Sequence, residues 1–354
     1  MSEALFHPPG QQIVQDWPAL EAHLAAHEMT LDLSLPPRQF AGGFGNLNYL
    51  LRIAGCDCVL RRPPPGDQVP GGNDMTREFG ITSKLWRGFP LAPRAIHCCT
   101  DEAVLGAPFL IMEYRPGLII GGQLPAERPL SLAERAAIGS MLVDTLAQLH
   151  AVDARAVGLD MLGKPEGMLS RMVDGWEKRA NVAYGSDTPA GIARTAAWLR
   201  QRLPARQQGP TLLHSDFKLD NVILDPVTLA PCAVIDWDMG TRGDPLVDLA
   251  TLLSYWPESG DPPAMLQLNQ MPMAEPGFPT RTEMAAMYAR QTGRNLSSFG
   301  FYRALCLFKL TVVFMQLHAR YRRGEIVNER YRSFGPLASG LLDFTEASAV
   351  ANFA

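Results

Sequence analysis

Hydrophobic and polar positions follow two different periods along this chain. In Leu47–Ile53, the residues Leu47, Tyr49, Leu51 and Ile53 fall on one face and Asn48, Leu50 and Arg52 on the other. A turn at 54–57 leads into 58–62, and the two runs read as a β-hairpin. The Pro/Gly-rich stretch 63–72 reads as a loop and 75–86 as a helix. Two further strands are expected at 103–105 and 108–114, around Gly106. The first 36 residues read as partly helical, with Leu20, Leu24 and His27 on one face and Pro36-Pro37 closing the segment.

Pro116-Gly117 ends this pattern, and a helical period takes over. Leu132, Ile138, Met141, Leu142, Leu146 and Leu149 recur at helical spacing across 131–152. Ser131 with Glu134 three positions on predicts a capping box. Mostly helices follow, with short β-like runs at 211–214 and 232–235. Residues 257–279 read as a long Pro/Met-rich surface insert, a kind of segment more often functional or mobile than structural. Residues 301–320 read as a buried helix. Its most apolar stretch, 304–317, contains Lys309 and falls short of the ~20 residues that span a bilayer. The expected fold class is α+β, with a small β-rich lobe, a break near 115–117 and a larger helical lobe.

Composition narrows the function classes. A chain of 354 residues fits two domains or lobes at a prior of about 150 residues each. The net charge of −4 argues against a nucleic-acid protein built on a broad basic surface. The opening MSEALFHPPGQQ lacks the basic patch and apolar run of a secretion signal. Six cysteines are too few for a disulfide framework. Neither Cys56/Cys58 nor Cys98/Cys99 has a second half at zinc-ligand spacing. The cytoplasm is the expected compartment. No membrane or nucleic-acid partner is expected.

The most informative stretch is His214-Ser215-Asp216-Phe217-Lys218-Leu219-Asp220-Asn221, followed by Ala233-Val234-Ile235-Asp236-Trp237-Asp238. A carboxylate, an amide five positions on, and a second carboxylate closing an apolar strand can converge on one point. Phosphoryl transfer uses such a point. One carboxylate takes the proton of the attacking hydroxyl, while an Asn and an Asp supply hard oxygen ligands to Mg²⁺. The order H-x-D-x-x-x-x-N and then hydrophobic-Asp matches the catalytic and metal loops of kinases.

HSDFKLDNVILDP, AVIDWDMG and GDPLVDLATLLSYW resemble the aminoglycoside phosphotransferase-like kinase superfamily. FAGGFGNLNYLLR, VLRRPPPG, REFGITSKL and APFLIMEYRPG resemble the N-lobe of one branch, and PGFPTRTEMAAMYARQTGR and FYRALCLFKLTVV its C-lobe. That branch includes the kinase-like domains fused to some acyl-CoA dehydrogenases. The resemblance covers roughly 37–345 and implies a two-lobed protein-kinase-like fold. The expected organisation is an N-terminal helical extension at 1–36, a nucleotide-binding N-lobe at 37–115, and a C-lobe at 116–354 with the catalytic loop and substrate site.

Carried over by resemblance, Asp216 is the catalytic base, Asn221 and Asp236 hold Mg²⁺, and His214 supports the catalytic loop. Asp238 stands where protein kinases carry the Gly of D-F-G. Gly42-Gly43-Phe44-Gly45-Asn46 occupies the place of a phosphate-covering loop, where glycines let backbone N–H groups approach phosphate. The third glycine of G-x-G-x-x-G is missing, and Asn46 and Asn48 are candidates to help. Arg61 occupies the position of the usual phosphate-contacting lysine, with Arg62 as competitor because strand side chains alternate. Glu78 is the helix carboxylate expected to orient Arg61. Glu113 and Tyr114 open the hinge expected to hold the adenine edge, with Met112 behind it. Asp248 is expected to brace the catalytic loop, and His150 to be a core or capping histidine.

The implied activity is ATP- or GTP-dependent phosphorylation of a small-molecule hydroxyl, with a hydroxy acid or hydroxyacyl-CoA as acceptor and a functional link to acyl-CoA dehydrogenases. The alternatives are an aminoglycoside kinase and a nucleotide-binding pseudokinase scaffold in fatty-acid metabolism. A protein kinase is disfavoured because no A-P-E segment or activation loop is recognisable. In 257–285, Glu258, Asp261, Glu275 and Glu283 stand against Arg281, a modest acidity for a polycationic antibiotic. The methionines of the same stretch suit an apolar or acyl group. Arg320, Arg322 and Arg323 form a small cluster that could face an anionic group.

Overall fold

The computed structural model describes residues 5–42, 45–64, 74–326 and 328–350. The chain divides into two compact units. The first draws on residues 1–117, 154–160 and 232–240, and the second on 118–153, 161–231 and 241–354.

In the first unit, helix α1 (Trp17–Ala25) starts where the Asp16 carboxylate accepts from the Ala19 N–H. Strands β1 (Arg38–Gln39), β2 (Leu47–Ile53) and β3 (Cys56–Arg62) lead to helix α2 (Met75–Leu85), strand β4 (Ala95–Cys99), the one-turn helix α3 (Glu102–Leu105) and strand β5 (Phe109–Glu113). The sheet order is β1-β2-β3-β5-β4, with every pairing antiparallel. The hairpin forms with Asn48 opposite Arg61 and Tyr49 opposite Leu60. One sheet face buries Tyr49, Leu51, Ile53, Cys58, Leu60, Phe109 and Ile111 against Leu20 and Leu24 of α1. Val59, Leu110 and Met112 on the other face pack with Met75 and Phe79 of α2. Burying each such large side chain contributes roughly 1.5–3 kcal/mol, so both helices are held mainly by the sheet.

Two expectations fail in this unit. Residues 103–105 form a helical turn and not a strand. Asp101 caps it by accepting from the Ala103 N–H, and Gly106 closes it at φ +77°. Strand β4 went unrecognised because a bulge between Ala95 and His97 breaks its alternation. His27 is exposed and lies just past α1.

In the second unit, α4 (Leu132–His150) opens with the expected capping box between Ser131 and Glu134. Leu132 is exposed, contrary to its place in the predicted apolar stripe. Helices α5 (Met168–Tyr184) and α6 (Ala190–Gln201) follow, and then β6 (Thr211–Leu213), β7 (Val222–Leu224) and β8 (Pro231–Val234). From Cys232 on, strand β8 itself belongs to the first unit. β9 (Thr241–Gly243) pairs antiparallel with β6. The remaining helices are α7 (Leu246–Ser254), α8 (Pro263–Leu266), α9 (Arg281–Thr292), α10 (Phe299–Arg322) and α11 (Phe334–Val350).

Helix α10 packs against α5, α7 and α11. Its 24 residues exceed the apolar run read from sequence. By length and composition it could cross a bilayer, and 78% of its most apolar window is buried inside the protein. The stretch 257–279 is also not the surface insert expected, since Met265, Leu268, Met271 and Met273 are buried. All six cysteines are free thiols.

Candidate active site

In the first unit the chemistry gathers at Arg61. Strand alternation directs Arg61 to the α2 side of the sheet. Arg62 goes to the opposite side, where it is buried and donates to the Gln15 amide oxygen and the carbonyls of Pro63 and Leu105. Arg61 Nε lies 2.8 Å from Glu78 Oε2, and Arg61 Nη2 pairs with Asp236 Oδ1. With the Asn46 amide oxygen turned toward the guanidinium, it accepts from Arg61 Nη2 at 2.8 Å. The arginine thus spends its planar fork on two carboxylates and an amide, a set that a lysine point charge could not satisfy together.

Burial opposes charge on Arg61, but Asp236, Glu78 and Asp238 outweigh it and hold the guanidinium well above its ordinary value. Burial pushes the Glu78 carboxyl up to about 7. Arg61 opposes that rise, and the nearby Asp236 and Asp238 add to it. Three carboxylates sharing one guanidinium make this the expected direction. Asp236 takes a left-handed conformation at φ +71°, which is costly for a side-chain-bearing residue. The following turn is pinned by Trp237, whose N–H reaches Glu78 Oε1 at 3.4 Å and whose Nε1 donates to Val234 O at 2.7 Å. Arg77 Nη2 donates to Gly240 O at 2.8 Å, fixing the far end of the segment to α2.

Glu113 closes β5 and pairs with Arg115 at 2.9 Å, while its N–H donates to Arg94 O. The Tyr114 ring stacks on Phe40, with centroids 6.1 Å apart. Gly45 is exposed and Asn46 buried. Gly43 and Phe44, both expected to contact phosphate, lie outside the described residues.

In the second unit, β6 delivers His214 and the loop after it. Asp248, at the start of α7, accepts from the backbone N–H groups of His214 and Ser215, each at 2.7 Å. His150 Nε2 lies 3.4 Å from the same carboxylate, and its Nδ1 lies 2.7 Å from the Tyr288 hydroxyl. Asp248 therefore braces the loop, as expected. Lys309 of α10 donates to Ser215 O at 2.6 Å. Ser215 sits at φ +67°, so two buried polar contacts, from its N–H to Asp248 and to its carbonyl from Lys309, hold a strained residue immediately before Asp216.

Around Asp216, Asn221 Nδ2 donates to its backbone oxygen at 2.9 Å and lies 3.4 Å from Oδ2. The structure thus brings Asp216, Asn221 and the buried His214 into one loop. Two neighbours were not singled out from sequence. The Tyr255 hydroxyl donates to Asp216 Oδ1 at 3.1 Å, and Lys218 Nζ lies 3.5 Å from Asp216 Oδ2 and 3.2 Å from Asp220 Oδ2. Burial opposes the Lys218 charge, but the carboxylates of Asp216 and Asp220 help hold it well above the ordinary lysine value. Burial, then Asp216, push the Tyr255 phenol up. Lys218 was visible two positions after Asp216. Tyr255 follows α7, and no local pattern connects it to the loop. Leu219 N–H points at Met271 Sδ, 3.3 Å away, so the Met-rich stretch packs against this loop.

The acidic residues of 257–285 are largely spent within the fold. Arg281 pairs with Glu258 at 2.8 Å and Asp261 at 2.6 Å, and Glu283 caps α9. Arg320 and Arg323 both pair with Glu325.

Residues 37–286 match the model of the phosphotransferase enzyme family. The human acyl-CoA dehydrogenase family member 11 is 33% identical over 317 residues, covering 88% of this chain and 39% of that protein. The chain therefore spans about two fifths of that relative's length. A crystal structure from Ralstonia eutropha JMP134, described as a candidate aminoglycoside phosphotransferase, superposes with a TM-score of 0.73 at 25% identity. The match covers 94% of this chain and 99% of that one. A thermostable mutant of aminoglycoside phosphotransferase APH(4)-Ia, in ternary complex with AMP-PNP and hygromycin B, shares the fold. Its TM-score is 0.60 at 16% identity, over 93% of this chain and 98% of that one. With this loop architecture and a family match over most of its length, the chain belongs to the phosphotransferase enzyme family.

Proposed function

We propose that this chain is a small-molecule kinase that moves the γ-phosphoryl group of ATP to an alcohol hydroxyl. The observation that carries this reading is the Asp216 carboxylate, held by Tyr255, Asn221 and Lys218 on a loop braced by Asp248 and Lys309. Asp216 accepts the acceptor's hydroxyl proton. The Lys218 ammonium places positive charge beside it, where the transferred group develops negative charge. The Asn221 amide nitrogen is engaged by Asp216, which leaves the amide oxygen as its ligating end. Asp236, the other residue carried over as a metal ligand, likewise offers oxygen, and oxygen donors fit Mg²⁺ and not a thiophilic metal. When bound, Mg²⁺ supplies charge neutralisation to the nucleotide phosphates. Arg61 and Asn46 are the proposed phosphate contacts, with Glu78 orienting the arginine, and Glu113 and Tyr114 the proposed adenine-side residues. The AMP-PNP complex of the structural relative supports a nucleotide donor.

The proposed acceptor is a hydroxy acid or hydroxyacyl-CoA. Its support is the likeness to acyl-CoA dehydrogenase family member 11, a longer protein whose name describes the whole of it. The internal pairing of Glu258 and Asp261 with Arg281 removes the acidity that a polycationic antibiotic would need from that stretch. The free thiols fit the cytoplasm as the proposed compartment.

The test is ATP consumption by the purified chain with Mg²⁺ against hydroxy acids, hydroxyacyl-CoAs and aminoglycosides. Asp216→Asn is expected to keep nucleotide binding and lose about 10²–10⁴ in turnover. An undiminished rate in that variant overturns the base assignment. Stimulation by aminoglycosides alone overturns the acceptor.

A further inference from the structure

Three histidines meet in the first unit, in none of the roles described above. His23 lies in the last turn of α1, and His27 follows four residues on, which sets both rings on the same side. His97 comes from β4. The bulge sets Ala95 opposite Met112 but His97 opposite Ile111. Ala95 therefore packs on the α2 side of the sheet, while His97 turns to the α1 side with Ile111. In a regular strand the two would share a face, so the extra residue is what re-aims His97 toward α1.

One ring nitrogen from each histidine lies within 4.8 Å of the other two. His23 Nε2 and His97 Nε2 face each other at 2.9 Å. Two neutral imidazoles at that distance need one shared proton, a place that a cation can take. Tetrahedral ligation at about 2.0–2.1 Å sets nitrogens about 3.3 Å apart, so these rings need to part by only a few tenths of an ångström. The third ring is already oriented, with His27 Nδ1 2.8 Å from His23 O. Donation from Nδ1 to that carbonyl leaves Nε2 with the lone pair, the tautomer that metal-bound histidines adopt through such bonds. Burial, then His23 and His27, push the His97 imidazole down to about 4.

We propose that His23, His27 and His97 form a transition-metal site, filled by Zn²⁺, that staples the N-terminal helix to the outermost strand of the sheet. Three imidazoles favour a borderline metal such as Zn²⁺ over Mg²⁺, which separates this site from the proposed catalytic cation. Three ligands leave a fourth position for water.

The test uses the full chain, free of any affinity tag and stripped with chelator, titrated with ZnCl₂ by calorimetry. One equivalent is expected to bind and to raise the melting temperature, with no such effect from MgCl₂. His27→Gln replaces an exposed residue and is expected to fold, as circular dichroism will verify. It should weaken Zn²⁺ binding at least about tenfold. His97→Gln should do the same. Co²⁺ substitution should give visible d–d bands without a thiolate charge-transfer band. Absence of one-equivalent binding, undiminished affinity in His27→Gln, or a thiolate band each overturns the site.

Discussion

At the scale of single residues, Arg61 decides how the first unit is wired. Its fork serves Glu78, Asp236 and Asn46 at once, and burial, with Asp236 and Asp238 adding to it, raises Glu78 to about 7 from an ordinary 4.5. A carboxyl whose folded value exceeds its unfolded one binds more protons when folded. Its contribution to stability is fully present below pH 4.5 and is lost as pH rises through about 7. The melting-temperature difference between the parent and Glu78→Gln is therefore expected to move against the parent between pH 5 and 8. A difference that stays flat across that range would show that Glu78 does not titrate there. The pair Arg61-Arg62 also marks a limit of sequence reading. Both arginines fit the motif, and only the strand's phase against α1 and α2 assigns one to Glu78 and the other to the opposite core. Asp216, His214 and Asn221 were legible because their spacing lies within one loop. Tyr255 was not, because its contact with Asp216 spans 39 positions.

Among the elements, α4 was the most legible, since its start is written in local chemistry. Ser131 Oγ accepts from the Glu134 N–H, and Glu134 Oε2 accepts from the Ser131 N–H at 2.8 Å. Ser131→Ala should cost about 1 kcal/mol in equilibrium denaturation, with no change in nucleotide affinity. A cost below about 0.3 kcal/mol would mean that Arg128, which also holds Glu134, already secures the helix start. The apolar triplet at 103–105 was misread because three residues carry no period. Asp101 before it and Gly106 after it were the signals that distinguished a helical turn from a strand.

For the whole molecule, sequence order hides how the first unit is assembled. Contiguous lobes are what a linear reading expresses, yet residues 154–160 and 232–240 return to the unit begun by 1–117. Val234 N–H donates to Leu91 O at 2.7 Å, Trp237 packs edge-on to Phe89, and Lys84 reaches Gly158 O at 3.2 Å. A fragment of residues 1–117 is therefore expected to lack a cooperative thermal transition, because Phe89 and Glu78 lose their cover. A peptide spanning 230–242 should restore part of it. A sharp transition in the fragment alone would show that the returning segments are dispensable.

The bulge in β4 has one more effect. β4 forms one border of the sheet, and β1, only two residues long, forms the other. An incoming chain that tried to extend the sheet would meet an interrupted row of amides and carbonyls on one side and almost none on the other. The irregularity that aims one imidazole inward thus also guards the exposed rim against strand addition and the self-association that follows from it.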